Sequence, residues 1–114
     1  MFKKIFILLI SFLTINMAAF AEAAYVRARH ILVKNQADAV KIKKALDDGG
    51  SFGYYARNYS ECPSGQQGGS LGYFQRGQMV KSFENAAFNL PIGQVSEPVQ
   101  TQFGWHLIIV DDTK

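Results

Sequence analysis

His30 and His106 are the only two histidines of the chain, and Cys62 is its one cysteine. An imidazole beside a thiol is raw material for nucleophilic catalysis, because the ring can draw off the thiol proton. Glu61 adjoins Cys62, however, and a neighbouring carboxylate opposes formation of the thiolate. A metal centre needs three or four ligands, usually at short spacings, whereas these three side chains are scattered along most of the chain. Each histidine also lies in a strand-like apolar stretch, where a core residue satisfied by hydrogen bonds is the plainer reading. A second kind of chemistry is apolar. Met79 and Phe83 stand four apart within a helical pattern, so they share a helix face. Such a pair packs a core or grips a single ring.

The elements that must position these groups follow from periodicity. Tyr25 to Val33 is rich in β-branched residues and reads as a strand, with Ala28, His30 and Leu32 on one face and Arg29, Ile31 and Val33 on the other. Asn35 suits an N-cap, and Ala37, Val40, Ile42, Ala45 and Leu46 carry a helix that Gly49-Gly50 ends. Ser51 caps a second helix through Phe52, Tyr55, Ala56 and Tyr59. Ser60 to Ser70, with Pro63, Gly65, Gly68 and Gly69, is a loop that contains Cys62. Leu71 to Phe74 predicts a short strand, Met79 to Leu90 a helix stopped by Pro91, and Val95 to Thr101 another short strand. Trp105 to Val110 alternates, with Trp105, Leu107 and Ile109 on one face and His106, Ile108 and Val110 on the other. Long crossovers followed by a C-terminal hairpin point to an α+β fold, with helices covering a small sheet.

The first residues belong to a different pattern. Lys3 and Lys4 precede a stretch from Ile5 to Phe20 without charge, and small residues follow at Ala21, Ala23 and Ala24. This is the layout of a secretory signal peptide over residues 1–21, with cleavage after Ala21 or Ala23. The apolar run sits at the short edge of what spans a bilayer, so an uncleaved anchor is the alternative. Export to a periplasm is expected, or otherwise to the outside of the cell. The remaining domain covers residues 25–113. The chain carries twelve basic and nine acidic residues, and loss of Lys3 and Lys4 leaves ten against nine. No basic stripe interleaved with aromatics marks a nucleic-acid partner. One cysteine allows no internal disulfide.

Six pieces of sequence occur in order: Ala28-Arg29-His30-Ile31-Leu32-Val33; Cys62-Pro63-Ser64; Gly68-Gly69-Ser70-Leu71-Gly72-Tyr73-Phe74; Arg76-Gly77-Gln78-Met79-Val80; Phe83-Glu84 with Ala86-Ala87-Phe88; and Pro98-Val99-Gln100-Thr101-Gln102-Phe103-Gly104-Trp105-His106. Together, across residues 27–111, they resemble the parvulin family of peptidyl-prolyl isomerases. The resemblance implies a four-stranded antiparallel sheet wrapped by about four helices. It implies that His30 and His106 lie side by side at the floor of a site, joined to the hydroxyl of Thr101. It places Cys62 at the catalytic-loop position, and Leu71, Met79, Phe83 and Phe103 around a proline pocket.

An isomerase of X-Pro bonds breaks no bond and needs no cofactor or metal. It must favour the twisted amide over the planar one, against a barrier of about 18–20 kcal/mol. The implied partner is a proline-containing unfolded polypeptide, met by a monomer with no membrane span once the signal is removed. A weakly catalytic or non-catalytic chaperone of the same fold is the competing function. Between the first strand and first helix only Lys34 is basic, so no phosphate on the substrate is expected to be required.

Overall fold

A computed structural model describes residues 22–114; the expected signal peptide at 1–21 lies outside them. Four strands and three α-helices follow in the order β1 (Val26–Val33), α1 (Gln36–Asp47), α2 (Phe52–Tyr59), β2 (Ser70–Phe74), α3 (Lys81–Phe88), β3 (Val99–Thr101) and β4 (Gly104–Thr113), with a 3-10 turn at Pro63–Gln67. The sheet is antiparallel in the order β2-β1-β4-β3. The expected α+β architecture is observed, the fourth helical element being the 3-10 turn. Among the described residues no helix is long and apolar enough to cross a membrane.

The alternation read in the two central strands sorts the core into two halves. Ile31, Val33, Leu107 and Ile109 face α1 and α2, where they meet Ala39, Ile42, Leu46, Phe52 and Ala56. Val26, Ala28, Ile108 and Val110 face α3 and pack on Phe74, Phe83 and Ala87. Helices cover both sides of the middle of β1 and β4, where Ile31 to Val33 and Leu107 to Val110 read as apolar runs. The predicted caps form: Asn35 accepts the Asp38 N–H at 3.0 Å and Ser51 the Tyr54 N–H at 3.2 Å.

Strand β4 runs on to Thr113, past the expected Val110, and α3 ends at Phe88, short of Leu90; three further differences from expectation bear on the site. Helix α3 begins at Lys81, after an extended Val80, so Met79 lies in the turn before the helix and not on its face. Gly77, at φ +93°, turns the chain there. Strand β3 is only three residues long, and Val95 makes a single bridge to Ile109. Before it the chain follows β4 irregularly. The Ser96 N–H donates to Ile108 O at 2.8 Å, and its hydroxyl accepts the Ile108 N–H at 2.9 Å. Pro98 has no N–H to continue a ladder. Lastly, part of the predicted loop is the 3-10 turn, with Cys62 at its N-cap and Pro63 as its first residue.

Candidate active site

In the register of β1 with β4, Leu32 stands opposite His106 and His30 opposite Ile108. The two histidines are therefore diagonal neighbours on the α3 side of the sheet. Their rings stack 5.2 Å apart at 17°, with Nδ1 to Nδ1 at 3.0 Å. Phe83 stands edge-on to both, at 5.6 Å from His30 and 5.2 Å from His106. Only 5% of His30 and 4% of His106 is exposed. Burial lowers the pKa of each from 6.5 to about 4, and for His30 the neighbouring His106 adds to the effect. At neutral pH both rings are uncharged.

The loop that carries Cys62 is pinned onto this floor. Gly69, at φ +89°, accepts the His30 N–H on its carbonyl at 3.0 Å. A Cβ at Gly69 would lie 2.3 Å from the His30 carbonyl oxygen, so only glycine permits the approach. The loop thereby sets Ser64 Oγ 3.2 Å from His30 Nε2, and the Ser64 hydroxyl donates to Cys62 Sγ at 3.2 Å. On the far side, Thr101 Oγ1 lies 2.7 Å from His106 Nε2 and accepts the Phe103 N–H at 3.1 Å.

With both rings neutral, donation from the Ser64 hydroxyl to sulfur is consistent with one set of tautomers along this chain. The Ser64 proton goes to sulfur, so His30 Nε2 carries a hydrogen and donates to Ser64. His30 Nδ1 is then bare and accepts from His106 Nδ1–H. His106 Nε2 is bare in turn and accepts the Thr101 hydroxyl proton. Hydrogen bonds thus run one way, from Thr101 through both rings and Ser64 to the thiol sulfur.

Above this floor opens a cleft of about 530 Å³, largely apolar, whose walls include Leu71, Met79, Val80, Phe83 and Phe103. Cys62 and Pro63 form one lip, with Gln78 and Glu61 at the rim. Phe103 is 61% exposed, an unusual position for a phenyl ring unless something covers it. The structure brings His30, Cys62, Leu71, Met79, Phe83, Phe103 and His106 to this one cleft and sets Thr101 behind it, against His106. Met79 arrives from the turn, so it and Phe83 line the cleft from different elements and not from one helix face.

The sequence assigned Ser64 and Gln78 no role beyond their place in the motifs, and Glu61 only that of a carboxylate opposing the thiolate. Ser64 had a signal only in its place two residues beyond Cys62, within a loop rich in serine and glycine. Glu61 pairs with Lys34 at 3.6 Å, the one cation between β1 and α1. Among the described residues no three His, Cys, Asp or Glu side chains gather as metal ligands would.

Residues 18–112 match the family profile described as rotamase, PPIC-type PPIASE domain. Foldase protein PrsA 1 of Bacillus cereus is 52% identical over 90 residues, which are 78% of this chain and 32% of that protein. The crystal structure of the peptidylprolyl isomerase PrsA of Bacillus anthracis superposes with a TM-score of 0.79 at 44% identity, over 82% of this chain and 43% of that one. Pin from the psychrophilic archaeon Cenarcheaum symbiosum gives a TM-score of 0.71 at 45% identity, over 82% of this chain and 97% of that one. The chain spans about a third of the length of the curated relatives it matches.

Proposed function

The chain belongs to the PPIC-type peptidyl-prolyl isomerase family, and from that premise we propose that it accelerates cis/trans rotation of X-Pro bonds in unfolded, exported polypeptides. The observation that carries the reading is the apolar cleft standing on a polar floor that is neutral and internally hydrogen-bonded.

Uncatalysed X-Pro exchange takes tens to hundreds of seconds, because amide resonance resists the twist. The planar amide carries partial negative charge on its oxygen, and water or a strong donor there stabilises it. The twisted amide has lost that charge. An enzyme gains by holding the proline ring and keeping strong donors away from the rotating carbonyl. In this chain Met79, Phe83, Leu71 and Phe103 hold the ring. Cys62 meets the carbonyl side with a thiol, a weak donor. His30 and His106 stay neutral and transfer no proton; a cationic ring beneath the cleft would favour the planar form. Thr101 and Ser64 keep the two rings in their tautomers.

Export is proposed from the charged, apolar and small-residue pattern of residues 1–24. A phosphate on the substrate is not required. Lys34, the one cation between β1 and α1, pairs with Glu61, and Glu61 at the cleft itself repels an anion.

The test is a proline-limited refolding assay with catalytic amounts of the protein. Acceleration of the slow phase is expected. Suppressed aggregation without acceleration would leave only a binding role. Paired peptides that differ by phosphoserine before proline should be turned over with a preference for the unphosphorylated one, and a large preference for the phosphorylated one would overturn the substrate assignment.

A further inference from the structure

Glu84 is a carboxylate with 1% of its surface exposed, on the residue next to Phe83. Burial of an ion is unfavourable unless it is paired and hydrogen-bonded, and here every partner comes from the chain around α3. One oxygen accepts the Gly77 N–H at 2.5 Å. The other accepts from Arg76 Nη1 at 2.9 Å and Lys81 Nζ at 3.3 Å. The Gly77 hydrogen bond, followed by Arg76 and Lys81, holds the carboxyl below the usual carboxylate range against the opposing effect of burial. The backbone of Glu84 makes a further contact, its N–H donating to Val80 O at 2.9 Å.

One short segment is held at both ends. The Glu84 side chain holds Gly77, and the first helical bond, which any residue at this position would make, holds Val80. Between the two grips lie Gln78 and Met79, and Gln78, Met79 and Val80 all line the cleft. Arg76 is fixed from behind by Phe88, 4.7 Å from its guanidinium, and by Asn85 at 3.2 Å. The turn is closed internally by the Gln75 N–H, which donates to Gln78 Oε1 at 2.7 Å. A helix that began at Met79 would have needed none of this.

We propose that Glu84 is a positioning residue: its side chain clamps the turn at Gly77 so that Met79 is held in the lining of the cleft together with Phe83. An acidic residue in the first turn of a helix also interacts favourably with the helix dipole, and that role alone would leave Met79 untouched. The inference rests on the proline-pocket reading for its kinetic arm, but not for its structural one.

The experiment compares wild type, Glu84→Gln, Glu84→Ala and Leu46→Ala. Leu46 is buried in the other half of the core, so it controls for lost stability. Met79 is the only methionine beyond residue 17, so its ε-methyl is a readily assigned NMR signal. Expected for Glu84→Ala is a Met79 methyl shift moved towards that of an exposed methionine, with KM for an X-Pro peptide raised about tenfold and kcat altered less than threefold. Glu84→Gln keeps an acceptor for the Gly77 N–H and should raise KM about threefold with a smaller methyl shift. Leu46→Ala should change neither. Should Glu84→Ala fail to fold, Glu84→Gln decides. An unmoved Met79 methyl in a folded Glu84 variant, or an equal movement in Leu46→Ala, overturns the clamp. Absence of isomerase activity in wild type would count against the pocket reading, while the methyl shift would still decide the clamp.

Discussion

Acidification to pH 5 should destabilise this domain through its two histidines. Each titrates at 6.5 when the chain is unfolded and at about 4 when folded. Because the folded pKa is the lower one, the folded state holds fewer protons between those values. The histidines' full contribution is present above 6.5 and drains away as pH falls towards 4. A gap of about 2.5 pH units corresponds to about 3.4 kcal/mol per histidine, of which about 2 kcal/mol is lost by pH 5. Part of the His30 shift comes from His106, so the two losses are not independent and the pair's sum is about 3 kcal/mol. That is a large part of the roughly 5–15 kcal/mol that holds a domain folded.

Carboxylates do not confuse this window, since Glu84 and Asp112 have lowered pKa values and their contributions are lost only in stronger acid. Urea unfolding followed by Trp105, the one tryptophan, should show the midpoint falling by about 1.5 M between pH 7.5 and 5, given a slope of about 2 kcal/mol per M. The imidazole Cε1–H resonances should stay at their neutral positions down to about pH 5. Resonances that titrate near 6.5, with an unchanged urea midpoint, would refute the claim that burial and mutual contact keep the pair neutral.

Met79→Ala should cost about 1–2 kcal/mol of stability, less than a fully buried methionine because this one is half-buried, yet lower kcat/KM about tenfold, which a peptide isomerase assay would read beside a urea melt. Cys62→Asp should keep most activity, because a carboxylate accepts the Ser64 hydroxyl as the sulfur does. Cys62→Ser places a stronger donor at the carbonyl and should be slower than Cys62→Asp in the same assay. A nucleophilic role for the thiol would make both inactive.

The central strands were legible from their apolar, β-branched runs, and the period of two then sorted their residues between the two covered faces. Every residue from His106 to Val110 is buried, and its parity alone assigns it to α1 and α2 or to α3. Asn35 and Ser51 announced two helix starts through their cap chemistry. The start of α3 was not legible. Met79 and Phe83 satisfy a helical spacing by coincidence, while the actual boundary depends on Gly77 and on tertiary bonds to Glu84. The length of β3 was hidden for a similar reason, since Ser96 bonds both polar groups of Ile108 before a regular ladder can form. Nor does sequence give the register that makes His30 and His106 diagonal neighbours, and without it each histidine alone reads as a core residue. Ser64 was quoted in the loop motif but its role was not legible, because a serine in a glycine-rich loop has the same signature whether it closes a turn or orients an imidazole.

Taken together, the proton positions explain how a floor made of polar side chains can serve an apolar cleft. Thr101 O–H, His106 Nδ1–H, His30 Nε2–H and Ser64 O–H are four strong donors, and each is spent on the next member of the chain. Among the described residues no buried side-chain nitrogen or oxygen is left without a partner. What the chain of bonds leaves over is the thiol hydrogen of Cys62, the weakest donor of the set. A carbonyl entering above the histidine floor therefore loses water and gains no strong donor from the floor in its place, so its planar, charge-separated form is penalised there while the twisted form is not. Protonating either ring would reverse this, by adding a donor and a positive charge beneath the substrate. The arrangement that lowers both histidine pKa values and makes the fold sensitive to acid is thus the same one that suits the cleft to a rotating amide.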